Sequence, residues 1–171
     1  MPAILETPLP GCIVFEAFGA DDARGGFRKH FSSSWGDAFT EFTAREFFYS
    51  MSHRGVLRGM HLQTGTAAHA KIVFCIAGEV LDVLVDLRAG PDFGATYART
   101  LSADNRNSIL VPPGVAHGFL TLSGSATVGY LTTTPHDATH DTGVRWDSLG
   151  FDWPPVTTVS ARDAELPRAA D

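Results

Sequence analysis

The sequence predicts an all-β fold, and two observations carry that reading. Short runs rich in Val, Ile, Phe, Tyr and Thr recur along the chain, each bounded by turn residues. Seventeen Gly and ten Pro among 171 residues call for frequent turns, and no apolar pattern of helical period runs long. Such spacing fits a sandwich or barrel. The length suits one domain over 1–171, with a barrel over about 12–135 and a C-terminal extension over 136–171.

Taken in order, strands are expected at 12–18, 26–31, 46–51, 56–62, 71–76, 79–87, 97–101, 108–111, 118–122 and 126–133. A short helix over 32–39 follows the cap candidates Ser32, Ser33 and Ser34. Ser160-Ala161-Arg162-Asp163 has capping-box form and starts a last short helix. The tail 167–171 is expected to fray. Ala77-Gly78 fits the centre of a two-residue hairpin turn, with Gly78 supplying the positive φ. Lys71, Val73, Cys75, Val80, Asp82 and Leu84 then share one face, and Ile72, Phe74, Ile76, Leu81, Val83 and Val85 the other. Both faces are largely apolar, as in strands packed on both sides. A Lys71–Asp82 pair on such a face costs desolvation. It is either a structural ion pair or a cation held ready for developing negative charge.

Composition narrows the function. A net charge of −6 gives no basic field for nucleic acid, so an anion site must be a local cluster. Cys12 and Cys75 lie in apolar runs and read as buried free thiols, which fits a reducing compartment. Neither a membrane span nor a signal pattern is visible, so a cytoplasmic protein without membrane partners is expected.

Four segments carry candidate chemistry. In GVLRGMHLQ (55–63), Arg58 suits bidentate phosphate binding, and the imidazole of His61 can take a proton from carbon. Positions three apart point to opposite strand faces, but Gly59 permits a bulge that brings both to one side. In VPPGVAHGF (111–119), a strand, a Pro-Gly turn and His117 form the P-x-G-x-x-H pattern of cupin barrel mouths. Tyr130 can donate a proton to a carbanion, or be a buried phenol with a satisfied hydroxyl. In GVRWDSLGFDWP (143–154), Trp146, Phe151 and Trp153 pin a returning segment, and Asp147 or Asp152 can orient a histidine. His30, His53, His69, His136 and His140 sit in polar contexts and read as surface residues.

Together with RGGF (24–27), AKIVFCIAGEVLDVLVDLR (70–88), LSADNR (101–106) and GYLTTT (129–134), these segments resemble the dTDP-4-dehydrorhamnose 3,5-epimerase family over most of the chain. The resemblance implies a cupin jelly-roll barrel with short peripheral helices. It also implies a homodimer with swapped N-terminal strands, no metal or organic cofactor, and a nucleotide-diphosphate-linked 4-keto-6-deoxyhexose as substrate, epimerised at C3, C5 or both. By position, His61 resembles the general base and Tyr130 the general acid. Lys71 resembles the residue that steadies the enolate oxygen, with Asp82 beside it. Arg58 and His117 resemble diphosphate contacts, and Arg24 and Phe27 the nucleotide contacts that reach a neighbouring subunit. Gln63, Glu46 and Phe48 are further candidate substrate contacts. Three departures stand out. Glu46-Phe47-Phe48-Tyr49-Ser50 replaces a Gln-Asp-Asn-like stretch, Lys29 stands where a Glu is usual, and Trp146-Asp147-Ser148 replaces Trp-Asp-Asp-Pro. The first two leave the nucleotide base open, and the third leaves Asp147 as the expected partner of His61. The alternatives are a metal-dependent cupin using His61, His69 and His117, and a non-catalytic sugar-nucleotide-binding barrel.

Overall fold

The computed structural model describes residues 1–169. The chain opens with strands β1 (Ala3–Glu6), β2 (Ile13–Glu16), β3 (Phe18–Asp22) and β4 (Gly25–Lys29), then helix α1 (Asp37–Thr40). Strands β5 (Glu46–His53), β6 (Leu57–Gln63), β7 (Lys71–Ala77), β8 (Glu79–Asp86), β9 (Thr96–Ser102), β10 (Asn107–Val111), β11 (Val115–Thr121) and β12 (Ser125–Thr132) form the body. Strand β13 (Asp141–Gly143) and helix α2 (Ala161–Glu165) complete it. Two antiparallel sheets result, ordered β1-β2-β10-β7-β12-β5 and β13-β6-β11-β8-β9, with β3 and β4 as a separate ribbon. This is the sandwich or barrel that the turn spacing fits, in the jelly-roll form that the resemblance implies. No helix among the described residues is long and apolar enough to cross a membrane.

Strand alternation explains the layers. Val73 and Cys75 of β7 and Val80 and Leu84 of β8 point between the sheets, where they meet Val14, Ile109, Phe119 and Val128. The alternate residues Ile72 and Phe74 face outward and are covered by Phe15, Trp35, Phe39 and Phe42. On the other sheet, Val83 and Val85 are covered with Met60 and Leu62 by Trp146, Phe151 and Trp153 of the C-terminal segment. The predicted double-sided burial of these strands is therefore present, as is the aromatic pinning. Both cysteines are buried free thiols.

The predicted hairpin is not formed. β7 pairs with β10 and β12, and β8 with β11 and β9, so β7 and β8 belong to opposite sheets. Both edges of each strand are already occupied. Gly78, at φ 77°, instead turns the chain from one sheet to the other, and the Cys75 thiol bonds the Ala77 and Gly78 carbonyls at this corner. The two faces alternate as the sequence predicts while the pairing differs, because alternation is local and strand order is not.

Other differences are smaller. The helix expected over 32–39 is the four-residue α1, with Gly36 at its N-cap and no side-chain cap. β1 and β13, outside the predicted strands, join the sheets as short edges. Pro167 and Ala169 are tied down by backbone bonds with Arg145 (2.8 Å) and to Ser148 Oγ (2.9 Å), contrary to the expected fraying; residues 170–171 lie outside the described residues.

Candidate active site

One cavity of about 410 Å³ opens between the two sheets. The sheet holding β6 and β11 contributes Arg58, His61, Gln63 and His117, while the opposite sheet contributes Glu46, Phe48, Ser50, Lys71 and Tyr130. Arg58 and His61 share this cavity because β6 bulges. His117 is opposite His61 but Phe119 is opposite Arg58, so two residues on β6, Gly59 and Met60, face Gly118 alone. Gly59 makes the bulge possible: its φ is 137°, and a Cβ there would lie 2.5 Å from Gly118 Cα.

His61 does not meet Asp147. That carboxylate is held by Arg145 through bonds to Nε and Nη2, on the surface. The partner of His61 is Asp163, whose Oδ1 accepts from Nε2 at 2.6 Å and whose Oδ2 accepts the Gly59 N–H at 3.1 Å. Burial pushes the Asp163 carboxyl up, but the His61 bond, its charge and the Gly59 N–H together hold it below the usual range. With Nε2 donating to a carboxylate, Nδ1 is the unprotonated ring nitrogen. Asp163 arrives through the predicted capping box. Ser160 Oγ accepts the Asp163 N–H at 3.1 Å, and the Asp163 side chain, freed from the reciprocal bond, reaches β6 instead. The preceding segment docks by Leu57 N–H to Thr158 C=O (2.9 Å) and Thr157 N–H to Gly55 C=O (2.9 Å). The sequence shows the cap but no link between positions 102 apart.

Lys71 and Asp82 share the barrel interior but form no ion pair. The Lys71 ammonium donates to the His61 carbonyl at 3.2 Å, whereas Asp82 Oδ2 accepts from His117 Nε2 at 2.6 Å. Asp82 sits behind His117, outside the cavity lining, so its carboxylate faces His117 rather than the cavity. Burial raises the Asp82 carboxyl, opposed by His117. Burial also brings Lys71 down to about 8, opposed by Asp141 and Asp82. Tyr130 is pushed well above the usual phenol by burial, so it is held protonated. Its hydroxyl lies 3.3 Å from Ser50 Oγ, and its ring stacks on Phe48 at 4.6 Å. Arg58 donates to Ser52 Oγ (2.9 Å) and the Met51 carbonyl (3.2 Å), which aims its planar head along one end of the cavity. At the other end Arg162 pairs with Asp141 at 2.8 Å, and Glu46 Oε2 accepts the His136 N–H.

Arg24 and Phe27 are exposed on the β3–β4 ribbon, Arg24 bound to Asp22, and neither lines this cavity. Conversely, His69 and His136 line it, and His30 is half-buried, stacked on Phe74 at 4.1 Å and bonded to Ser108. The Nε2 atoms of His61 and His117 are each engaged by a carboxylate. Among the described residues no group of three or more His, Cys, Asp or Glu side chains is placed to hold a metal ion.

The model of the dTDP-4-dehydrorhamnose 3,5-epimerase family matches residues 6–171. The chain belongs to this family. It is 35% identical to the dTDP-4-dehydrorhamnose 3,5-epimerase of Salmonella typhimurium, over 98% of this chain and 95% of that one. Among solved structures, the dTDP-6-deoxy-D-glucose-3,5-epimerase of Legionella pneumophila in complex with dTDP-4-keto-L-rhamnose superposes with a TM-score of 0.93 at 30% identity, covering 99% of this chain and 93% of that one. A 3'-monoepimerase from Streptomyces bikiniensis in complex with dTDP-quinovose superposes at 0.87 with 28% identity, covering 96% and 87%. The member described here is thus an isomerase of the sugar-epimerase class on the cupin-like jelly roll.

Proposed function

We propose that the protein inverts C3, C5 or both of a nucleotide-diphosphate-linked 4-keto-6-deoxyhexose, with His61 as base, Tyr130 as acid and Lys71 as oxyanion partner. One observation carries the reading: His61 and Tyr130 enter the same cavity from opposite sheets, with a buried ammonium between the strands that hold them. A hydrogen α to the C4 ketone is weakly acidic. His61 Nδ1 takes it, the C–H electron pair moves into the enolate, and the charge on O4 is stabilised by the Lys71 ammonium. The Tyr130 hydroxyl returns a proton to the same carbon from the other face and so inverts it. His61 then releases its proton to solvent and Tyr130 recovers one. Asp163 positions His61, and Asp82 positions His117.

Arg58 and His117 are proposed as diphosphate contacts and Glu46 and Phe48 as walls of the cavity, with thymidine as the base that the names of the relatives favour. The expected outcome is uptake of solvent deuterium at C3 or C5 when the protein is incubated with dTDP-4-keto-6-deoxyglucose in heavy water and followed by NMR. Absence of exchange with the dTDP-, CDP-, GDP- and UDP-linked sugars alike would sink the proposal.

The active form is proposed to be a homodimer in which the β3–β4 strands carry Arg24 and Phe27 to the neighbouring subunit. Its support is an apolar edge: β5 pairs only with β12, and Phe47, Tyr49 and Met51 are each more than half exposed along it. Light scattering is expected to give twice the chain mass, and Met51→Lys combined with Tyr49→Asp to reduce it to one. A monomeric wild-type chain that is fully active would contradict this. The buried reduced thiols fit a cytoplasmic site of action.

A further inference from the structure

His69 precedes β7 and lines the cavity next to Lys71, yet the proton transfers above do not use it. Its Nδ1 lies 3.0 Å from Gln63 Nε2 and 3.3 Å from Thr134 Oγ1. The direction of these bonds follows from their neighbours. Gln63 Oε1 accepts the Asp137 N–H at 2.6 Å, which fixes the other end of the amide as the NH₂ group. That group also reaches the Ala67 carbonyl at 3.0 Å and the Pro135 carbonyl at 3.2 Å. An amide nitrogen has no lone pair to accept with, so Nδ1 of His69, 3.0 Å from it, is the acceptor. Burial, with a smaller push from the Lys71 charge, brings the imidazole down to about 4, so the ring is neutral at pH 7. A neutral imidazole whose Nδ1 accepts carries its one proton on Nε2. Among the described residues nothing accepts from that nitrogen, and the His69 side chain lines the cavity. A half-buried donor without a protein acceptor is completed by a ligand or by water.

We infer that His69 is a specificity-determining contact for the sugar, its Nε2–H donating to a hydroxyl or keto oxygen of the ring held beside Lys71, and that Gln63 is the positioning residue that sets this donor. The inference rests on the sugar-nucleotide reading above and names which substituent the pocket selects. An oxygen at that position completes the donor, whereas a methyl or hydrogen leaves it unpaired. Gln63, expected from sequence to touch substrate, has its amide occupied by the wall and acts through His69.

The test compares binding of dTDP-glucose and of dTDP alone by calorimetry, with steady-state kinetics, for the full-length protein and two variants. In His69→Asn the side-chain oxygen replaces Nδ1 as acceptor for Gln63, so the wall is retained while the donor is lost. In His69→Gln the amide NH₂ falls near the position of Nε2. His69→Asn is expected to weaken dTDP-glucose binding and lower kcat/KM by about 10–100-fold, with dTDP affinity unchanged, and His69→Gln to restore most of both. Equal loss of dTDP and dTDP-glucose affinity, or no loss of either, overturns the inference. A wild-type protein without deuterium exchange is a separate result that overturns the epimerase reading, since the binding comparison does not require turnover.

Discussion

Replacement of His61 by Asn is expected to lower the rate of deuterium exchange at the substrate by about 10³–10⁴-fold, the upper part of the range for loss of a general base. The Arg58 guanidinium cannot accept a proton, and His117, held by Asp82 through Nε2, is assigned to the diphosphate rather than to the ring carbon. Asp163→Asn is expected to lose nearly as much, for a reason visible in the hydrogen bonds. The Gly59 N–H needs an acceptor and will hold the amide oxygen, as it now holds Oδ2. The amide NH₂ then faces His61 Nε2, which must accept. The ring proton moves to Nδ1, the nitrogen required to be free. Substrate affinity should change little, because the charge of the cavity lining is unaltered. Exchange kinetics by NMR and ligand affinity by calorimetry check both parts. Retention of exchange to within about tenfold in His61→Asn would remove His61 from the mechanism.

Much of this site is legible in the residues, and what is not legible has a common cause. Alternation along a strand is a local property, so the inward set Lys71, Val73, Cys75, Val80, Asp82 and Leu84 can be read without knowing the fold. The Gly59 bulge can also be read, because Arg58 and His61 cannot otherwise share a side. Sheet membership cannot: β7 and β8 are separated by one residue yet lie in opposite sheets, since their edges are filled by strands far away in the chain. The same non-locality hides Asp163 and favours Asp147. The Trp146-Asp147 segment resembles the family motif, but its carboxylate finds Arg145 two residues away, while the capping box at 160–163 delivers the carboxylate that bonds His61. His69 reads as a surface residue because the stretch before it, Thr64-Gly65-Thr66-Ala67-Ala68, is turn-like. Only the fold brings Gln63 and Thr134 against it.

Lys71→Met is the second large effect, and its two consequences run in opposite directions. Activity is expected to fall by about 10²–10³-fold, as when a preorganised oxyanion donor is removed, because O4 of the enolate loses the one ammonium in its reach. Stability at pH 7 is expected to rise. In the folded protein burial brings Lys71 down to about 8 from 10.5, so below pH 8 the group is protonated in both states and the whole desolvation cost is present. Between about 8 and 10.5 the unfolded chain keeps a proton that the folded chain has lost, and folded stability therefore increases with pH through that window. Methionine removes the cost at every pH. It leaves the His61 carbonyl without its 3.2 Å donor, so the net gain is on the order of 1–2 kcal/mol at pH 7, several degrees in Tm for a chain of this size. The stability difference between variant and wild type is expected to narrow as pH rises from 8 toward 10.5. Wild-type kcat is expected to decline through about pH 8 as the ammonium is lost. Denaturation and rate profiles over pH 6–10.5 measure both. A Lys71→Met protein that keeps its exchange rate would place the oxyanion partner elsewhere. One that melts below the wild type at pH 7 would show that the buried ammonium is held by more than the His61 carbonyl, and that the barrel needs it to fold.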